Sequence, residues 1–332
     1  MKNIKYPNYN LQKIYLTLKD KPKNENSILI KKEKNNLLYW ISKRLGKNIN
    51  NVKSIFIGAK LNFGNQLKII NNAIFFCEII GCKHLILDSK PNWFIRNTII
   101  DKKYKLMIEV GQKEKYIKKN IFFDFSKFMY SYLKYIKPEF KVNLLKKEIL
   151  RNFPKIQTNK KELYIYIRSG DIFIKPHYLY AQPPLCFYQK IIKDNKYTKI
   201  LLISKDKNNP VIKYLLNNNS NIIYNQNSIK LDIAYLLYAY NLVGGFSTII
   251  YTIIRFNDNL KYFWEYNVNI PSVHYTYYKL ENRFTIYNMK PSNNYKKKMK
   301  FFFGNKEQLN LMITEKCLNN FVIHLIFSKN KN

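Results

Sequence analysis

A chain of 332 residues with 46% hydrophobic content is long enough for two ordinary domains with real cores, which excludes a disordered or fibrous protein. A formal net charge of +37 points by itself to nucleic acid, an anionic membrane surface or a phosphorylated small molecule. Lys, Asn, Ile and Tyr are inflated together, as an AT-biased coding sequence would produce, and the lysines are scattered rather than gathered into an arginine-rich arm, so the pattern argues against nucleic acid as the partner.

Residues 1–50 read as a polar lead-in followed by a helix, in which Leu37, Leu38, Trp40, Ile41 and Leu45 keep roughly helical spacing. The first strand is "SIFIGA" at 54–59. The break "KLNFGNQ" follows, and then a helix that stops at Gly81, a residue suited to a helix C-terminus. "HLILD" at 84–88 is the next strand, which completes a strand, turn, helix, strand unit of the parallel α/β type. "LMIEV" at 106–110, a short "NIFFDF" at 120–125 and a helix-like region from about 128 to 150, interrupted by Pro138, complete the first half.

The polar, irregular stretch 151–161 marks a boundary, which divides the chain into a helical lead-in over 1–50, a Rossmann-like domain over 51–155 and a second over 156–320. In the second half "LYIYIR" reads as a strand, "PLCFYQKIIKDN" as a helix, "KILLISKD" as a strand, "NPVIKYLLNN" as a helix and "NIIYN" as a strand. "LDIAYLLYAYN" is then a helix, "LVGGFS" a strand and turn, and "TIIYTIIRF" a helix. Two successive α/β units imply an α/β protein with two Rossmann-like domains facing across a cleft, and a ligand at the carboxyl ends of the strands. The aromatic runs at 262–266 and 274–278 read as core or interface rather than sugar platforms.

Cys77, Cys82, Cys186 and Cys317 are too few and too irregularly spaced for a zinc site, and His84, His177, His274 and His324 are dispersed, so no metal is expected. Cys77 and Cys82 suit core packing, and Cys317 could pair with another cysteine in an oxidising compartment. No run of 18 apolar residues occurs and the first 30 residues lack the apolar core of a signal peptide. The chain as written is expected to be soluble, with no membrane span. Work in the ER or Golgi lumen would need an anchor outside it.

Three junctions could carry chemistry. In "FGNQ", Gly64 permits a tight turn while Asn65 and Gln66 open a helix whose amides attract phosphate. In "YIRSGD", Arg168 is one of only six arginines, so a guanidinium here is a choice over lysine; its planar fork suits a phosphate. Asp171 can hold Arg168 in place or act in proton transfer. In "VGGFSTI", Ser247 and Thr248 follow two glycines and precede a helix, so they can serve an anion or merely cap. None has the lysine of a P-loop or the three glycines of a dinucleotide fingerprint. Together they suit a diphosphate, and a sugar nucleotide is the natural candidate.

"FGNQ" before a helix, "IRSGD" at a strand end and "GFST" after a strand together resemble the fucosyltransferase superfamily, with its α-1,2-, α-1,6- and protein O-fucosyltransferases. The likeness is closer to the α-1,2-type eukaryotic glycosyltransferase-like proteins, in which a Y-x-QPPL-x-FY segment follows the arginine; Tyr180, Gln182, Pro183, Pro184, Leu185, Phe187 and Tyr188 stand here in that order. The resemblance covers most of residues 52–317. It implies a GT-B-like fold and inverting transfer of fucose from GDP-fucose to a hydroxyl of a glycan acceptor, with no metal and no cofactor beyond the donor. Arg168 then looks like the residue that neutralises the donor diphosphate, with Asp171 beside it. Gly64, Asn65, Gln66, Tyr166, Phe246, Ser247 and Thr248 look like donor-contacting positions, and Asp232 like a partner for donor or guanine. The chain departs from the family pattern at Tyr166, where histidine is usual, at Ser169, where a second arginine is frequent, and at Leu61-Asn62, where Gly-Arg is usual. Another nucleotide sugar, an inactive homologue, or a non-catalytic lectin-like or nucleic-acid-binding protein are the alternatives.

Overall fold

The computed structural model describes residues 52, 54–58, 63–88, 98–101, 106–111, 122–124, 142–176, 180–194, 196–225, 228–245, 247–266, 284–317 and 322–326. The lead-in helix expected within residues 1–50, the aromatic run at 274–278 and Phe246 lie outside them. The chain divides into two compact units, Met1–Glu148 and Ile149–Asn332.

In the first unit, β1 (Ser54–Ile57), α1 (Phe63–Ile80), β2 (His84–Leu87), β3 (Thr98–Asp101), β4 (Leu106–Val110) and β5 (Phe122–Asp124) follow in order. The strands form a sheet in the order β3-β4-β2-β1-β5, parallel except where β3 runs against β4. Ile55, Phe56, Ile57, Leu85, Ile86 and Leu87 are buried, the near-continuous apolar run that a parallel strand covered on both faces requires. Helix α1 starts at Phe63, so Gly64 is helical and buried rather than the tight turn that "FGNQ" suggests, and Asn65 and Gln66 share its first turn. At its other end Gly81 takes φ of 75°, the left-handed C-terminal geometry that only glycine adopts without cost. Cys77 and Cys82 are buried beside the sheet, as core packing requires. Helix α2 (Val142–Asn152) spans the division between the units.

The second unit carries β6 (Glu162–Tyr166), α3 (Asp171–Ile174), α4 (Leu185–Asp194), β7 (Lys199–Ile203), α5 (Pro210–Asn218), β8 (Ile222–Asn225), α6 (Ile229–Tyr238), β9 (Asn241–Gly244), α7 (Thr248–Ile253) and β10 (Tyr262–Tyr266). It ends with β11 (Phe284–Met289), α8 (Asn293–Lys298), α9 (Lys306–Thr314) and β12 (Val322–Ile326). Its sheet runs β12-β11-β10-β9-β6-β7-β8, parallel except for β12 against β11. Alternation along β6 sends Leu163 and Ile165 into a core with Phe187, Ile191, Val211, Leu215, Tyr295 and Phe302. Tyr164 leaves from the opposite face and stacks on Tyr235 of α6 with ring centroids 5.9 Å apart. Helices therefore cover both faces, the doubly wound arrangement that leaves the carboxyl edge of the strands as the open rim.

Helices α5, α6, α8 and α9 begin as their sequences dictate: Asn209, Ser228, Ser292 and Asn305 each accept a hydrogen bond from a first-turn amide. A disulfide joins Cys186 on α4 to Cys317 beyond α9, the partner that Cys317 alone left open. The run 262–266 is strand β10, with Phe263, Trp264 and Tyr266 buried, so it serves as core. No helix among the described residues is long and apolar enough to cross a membrane.

Candidate functional site

At the carboxyl rim of the second sheet, β8, β7, β6 and β9 end side by side on Asn225, Ile203, Tyr166 and Gly244. Strand β6 ends at Tyr166, and Ile167 still donates to Ile203, so Arg168 is the first residue clear of the ladder. Its Nη2 donates to Asp171 Oδ2 at 3.0 Å, and its guanidinium carbon lies 4.6 Å from the centroid of the Tyr180 ring. One face of the cation is thus held by an aromatic and one edge by a carboxylate. The Arg168 side chain is 16% exposed and that of Asp171 59%, so the cation is sheltered and its partner is wet. With the carboxylate already paired to Arg168, the geometry favours Asp171 as the residue that orients the arginine.

The loop carrying Arg168 is clasped from the side. Asp206, past the end of β7, accepts from Ser169 Oγ at 2.5 Å, from the Gly170 amide at 3.2 Å and from the Asn208 amide at 2.9 Å. Asn209 completes the clasp, its amide donating to Ser169 Oγ at 2.9 Å and its Nδ2 to the Arg168 carbonyl at 3.1 Å. Gly170 adopts φ of 74°, and a Cβ there would stand 2.9 Å from Asp206 Oδ2, so conformation and space both demand glycine. Ser169 is a buried link between two loops.

On the β9 side, the Gly245 amide donates to the Tyr166 carbonyl at 3.0 Å, and a Cβ on Gly245 would stand 3.2 Å from that oxygen. Ser247 precedes α7 but makes no capping bond with its side chain; its buried Oγ lies 3.4 Å from the Tyr166 hydroxyl. Thr248 is exposed in the first turn of α7. The Tyr166 phenol is pushed up chiefly by burial; its contact with Ser247 and the charge of Arg168 pull it down, while Asp171 and Asp232 push it up. Four other candidate residues therefore lie within electrostatic reach of the Tyr166 phenol: Arg168, Asp171, Asp232 and Ser247. Gly64, Asn65 and Gln66 belong to the other unit, and Phe246 lies outside the described residues.

Asp232 sits in the first turn of α6 and accepts from Asn225 Nδ2 at 2.6 Å. Burial lifts its carboxyl to about 6, against which the Asn225 bond acts only partly. It is a half-buried acid at the rim whose charge is costly to hold without a further donor.

Tyr180, Asp206, Asn209, Gln182 and Asn225 take part in this rim although the sequence does not single out a role for them. Asn209 had a local signal, as the cap before Pro210. Gln182 is fully buried; its Nε2 donates to the Tyr180 carbonyl at 2.9 Å and its Oε1 has no hydrogen-bond partner. The Gln182 carbonyl accepts from Tyr295 at 2.6 Å, which fixes the "QPPL" segment against α8. Among the described residues no three His, Cys, Asp or Glu side chains gather as a metal site.

No protein-family profile matches the chain, and no curated protein does. Among solved structures, one similar chain is that of a dodecameric iron-containing heptosyltransferase, TibC, in complex with ADP-D-β-D-heptose, at 10% identity and a TM-score of 0.40 over 67% of this chain. The match spans 60% of that protein's chain, a distant likeness to a glycosyltransferase.

Proposed function

We propose that the chain is a glycosyltransferase that binds the diphosphate of a nucleotide sugar at the carboxyl rim of the second sheet. The observation that carries the reading is Arg168: a sheltered guanidinium, backed by Tyr180 and Asp171, on a loop clasped by Asp206 and Asn209. A preorganised cation of this kind stabilises charge that builds on a departing diphosphate without reorganising as it does so. Ser247, Thr248 and the Gly245 approach extend the anion-binding rim from β9. In the same reading, residues 51–155 and 156–320 form the two Rossmann-like domains of a GT-B enzyme, with Gly64, Asn65 and Gln66 as further donor contacts.

The finer proposal is inverting transfer of fucose from GDP-fucose, which rests on the resemblance of the "FGNQ", "IRSGD", "QPPL" and "GFST" segments. The acceptor hydroxyl attacks the anomeric carbon from the face opposite the nucleotide, the bond to the diphosphate breaks, and Arg168 takes up the charge. The Asp232–Asn225 pair offers a carboxylate to the paired N–H donors of guanine, which would favour GDP over ADP or UDP.

Calorimetric titration with GDP, UDP and ADP, alongside donor hydrolysis, tests this reading. Arg168→Ala should weaken GDP by roughly 10- to 100-fold, the worth of a charge-assisted contact, and slow transfer by about 10²- to 10³-fold, while circular dichroism stays unchanged. GDP affinity equal to wild type in a folded Arg168→Ala protein would remove the diphosphate from this rim. Tighter binding of UDP or ADP than GDP would keep the transferase reading and replace the donor.

A further inference from the structure

Six large apolar side chains are exposed among the described residues, and three of them lie on two segments that touch: Ile174 at 72%, Phe301 at 51% and Phe303 at 65%. Ile174 ends α3, and the two phenylalanines sit on the loop between α8 and α9. Phe173 and Phe302 join these segments edge to face, with centroids 5.8 Å apart. Gly304, at φ of 63°, brings the loop against Pro176; a Cβ there would stand 3.2 Å from the proline Cγ.

The exposure is built in. Phe302 is fully buried in the core, and the chain on either side of it turns its rings outward. The nearly buried Gln308 holds the loop in that shape: its Nε2 donates to the carbonyls of Lys298 at 3.0 Å and Phe301 at 2.7 Å, and its Oε1 accepts from the amides of Phe303 at 2.8 Å and Gly304 at 3.1 Å. All four hydrogen-bonding positions of one amide side chain are spent on presenting two phenylalanines to water.

Lysines flank them along the chain. Lys175, Lys296, Lys297, Lys298, Lys300 and Lys306 are all exposed on these segments, and Lys300 Nζ lies 5.4 Å from the centre of the Phe301 ring. Lys298 pairs with Glu307 at 2.9 Å, and Glu315 lies nearby, bonded to Ser292, so the face as a whole stays strongly positive. A second copy of the chain would meet this face with like charge. A single-stranded nucleic acid would stack on the rings but gain nothing from Ile174, which has no π-face. Apolar side chains flanked by exposed lysines match the boundary of an anionic bilayer, where rings enter the headgroup region and lysines lie on phosphates.

We propose that this face docks the protein on an anionic lipid bilayer, with Ile174, Phe301 and Phe303 entering the headgroup–acyl boundary. The proposal stands independently of the transferase reading. Co-sedimentation of the full chain, in non-reducing buffer, with phosphatidylcholine vesicles that contain or lack phosphatidylserine tests it. Wild type should bind the phosphatidylserine vesicles and release them as salt rises. Replacing Lys296, Lys297 and Lys300 together by glutamine should lower the affinity about 100-fold, at about fivefold for each lysine near an anionic surface. Phe301→Ser with Phe303→Ser, and separately Ile174→Ser, should each lower it roughly tenfold or more, with circular dichroism unchanged. Gln308→Ala should weaken binding while leaving every proposed lipid contact in the sequence. No binding at low salt, equal binding to pure phosphatidylcholine, or variants indistinguishable from wild type would each overturn the proposal. So would a single-stranded RNA shift sensitive to the phenylalanines but not to Ile174, or a change in oligomeric state as the main effect of the phenylalanine variants.

Discussion

Two buried tyrosines in one core carry hydroxyls of opposite standing. Tyr295 donates to the Gln182 carbonyl at 2.6 Å, whereas the Tyr188 hydroxyl is buried without a partner. An unmade hydrogen bond costs its desolvation, so Tyr188→Phe should leave stability unchanged or raise it by about 1 kcal/mol, while Tyr295→Phe should cost about 1 kcal/mol. Urea unfolding of the two variants measures the contrast, and a clear loss in Tyr188→Phe would contradict it. Asp232 has its own pH signature. Burial raises its carboxyl from an ordinary 3.8 to about 6, so between these values the folded state holds a proton that the unfolded state has released. Stability from this group is therefore greatest below pH 4, falls as pH rises to about 6, and stays lower above it. Asp232→Asn should remove that fall, gaining on the order of 1 kcal/mol over wild type at pH 7.5 and nothing at pH 4, once solvent screening of a half-buried group is allowed for. If Asp232 meets guanine, the same substitution weakens GDP.

At the scale of elements, the loop after β6 depends on the loop after β7. Asp206 accepts from two backbone amides and a hydroxyl, and removing its carboxylate would leave the Gly170 and Asn208 amides to find other partners. Asp206→Ala should cost about 1–3 kcal/mol and weaken GDP without touching it, because Arg168 loses its anchored loop. Gly170→Ala should be worse for the loop than for the core: backbone at φ of 74° and ψ of −115° strains an alanine by about 1–3 kcal/mol, and its methyl group meets Asp206 at 2.9 Å. GDP titration of both variants beside their urea midpoints separates positioning from folding. If GDP affinity holds in both, the clasp has no part in the site.

For the whole chain, the largest single constraint is the Cys186–Cys317 disulfide, which closes a loop across 131 positions. In the chain-entropy account a loop of that length is worth about 5 kcal/mol against the reduced unfolded chain. Reduction should therefore lower the melting temperature by several degrees, which calorimetry with and without reductant reads directly. Labelling the denatured, non-reduced protein should modify Cys77 and Cys82 and spare Cys186 and Cys317. Modification of all four would show that the bond is not formed.

Much of the α/β alternation was written locally. Apolar runs such as "HLIL", "KILLI" and "NLVG" are short, bounded by polar or glycine residues, and become parallel strands because both their faces can be buried. Gly81 is likewise legible, since it answers a backbone geometry set by its immediate neighbours. The start of α1 was misplaced by the glycine in "FGNQ", because a helix can hold glycine at its first turn where a turn would also accept it. What the sequence determined by itself was the alternation of strands and helices over 54–88 and 162–253 and the placing of Arg168 just past a strand end; the strand at 98–101 and the elements from 262 onward emerged only in the fold. Only the tertiary structure decided that Tyr180 stacks on that arginine, that Asp206 and Asn209 hold its loop, that Cys186 is the partner of Cys317, and that Phe302 turns inward while its neighbours face water. The reason is range: a strand or a cap depends on residues within one or two turns of chain, whereas those contacts join segments up to 131 residues apart and exist only once the sheet has set their positions.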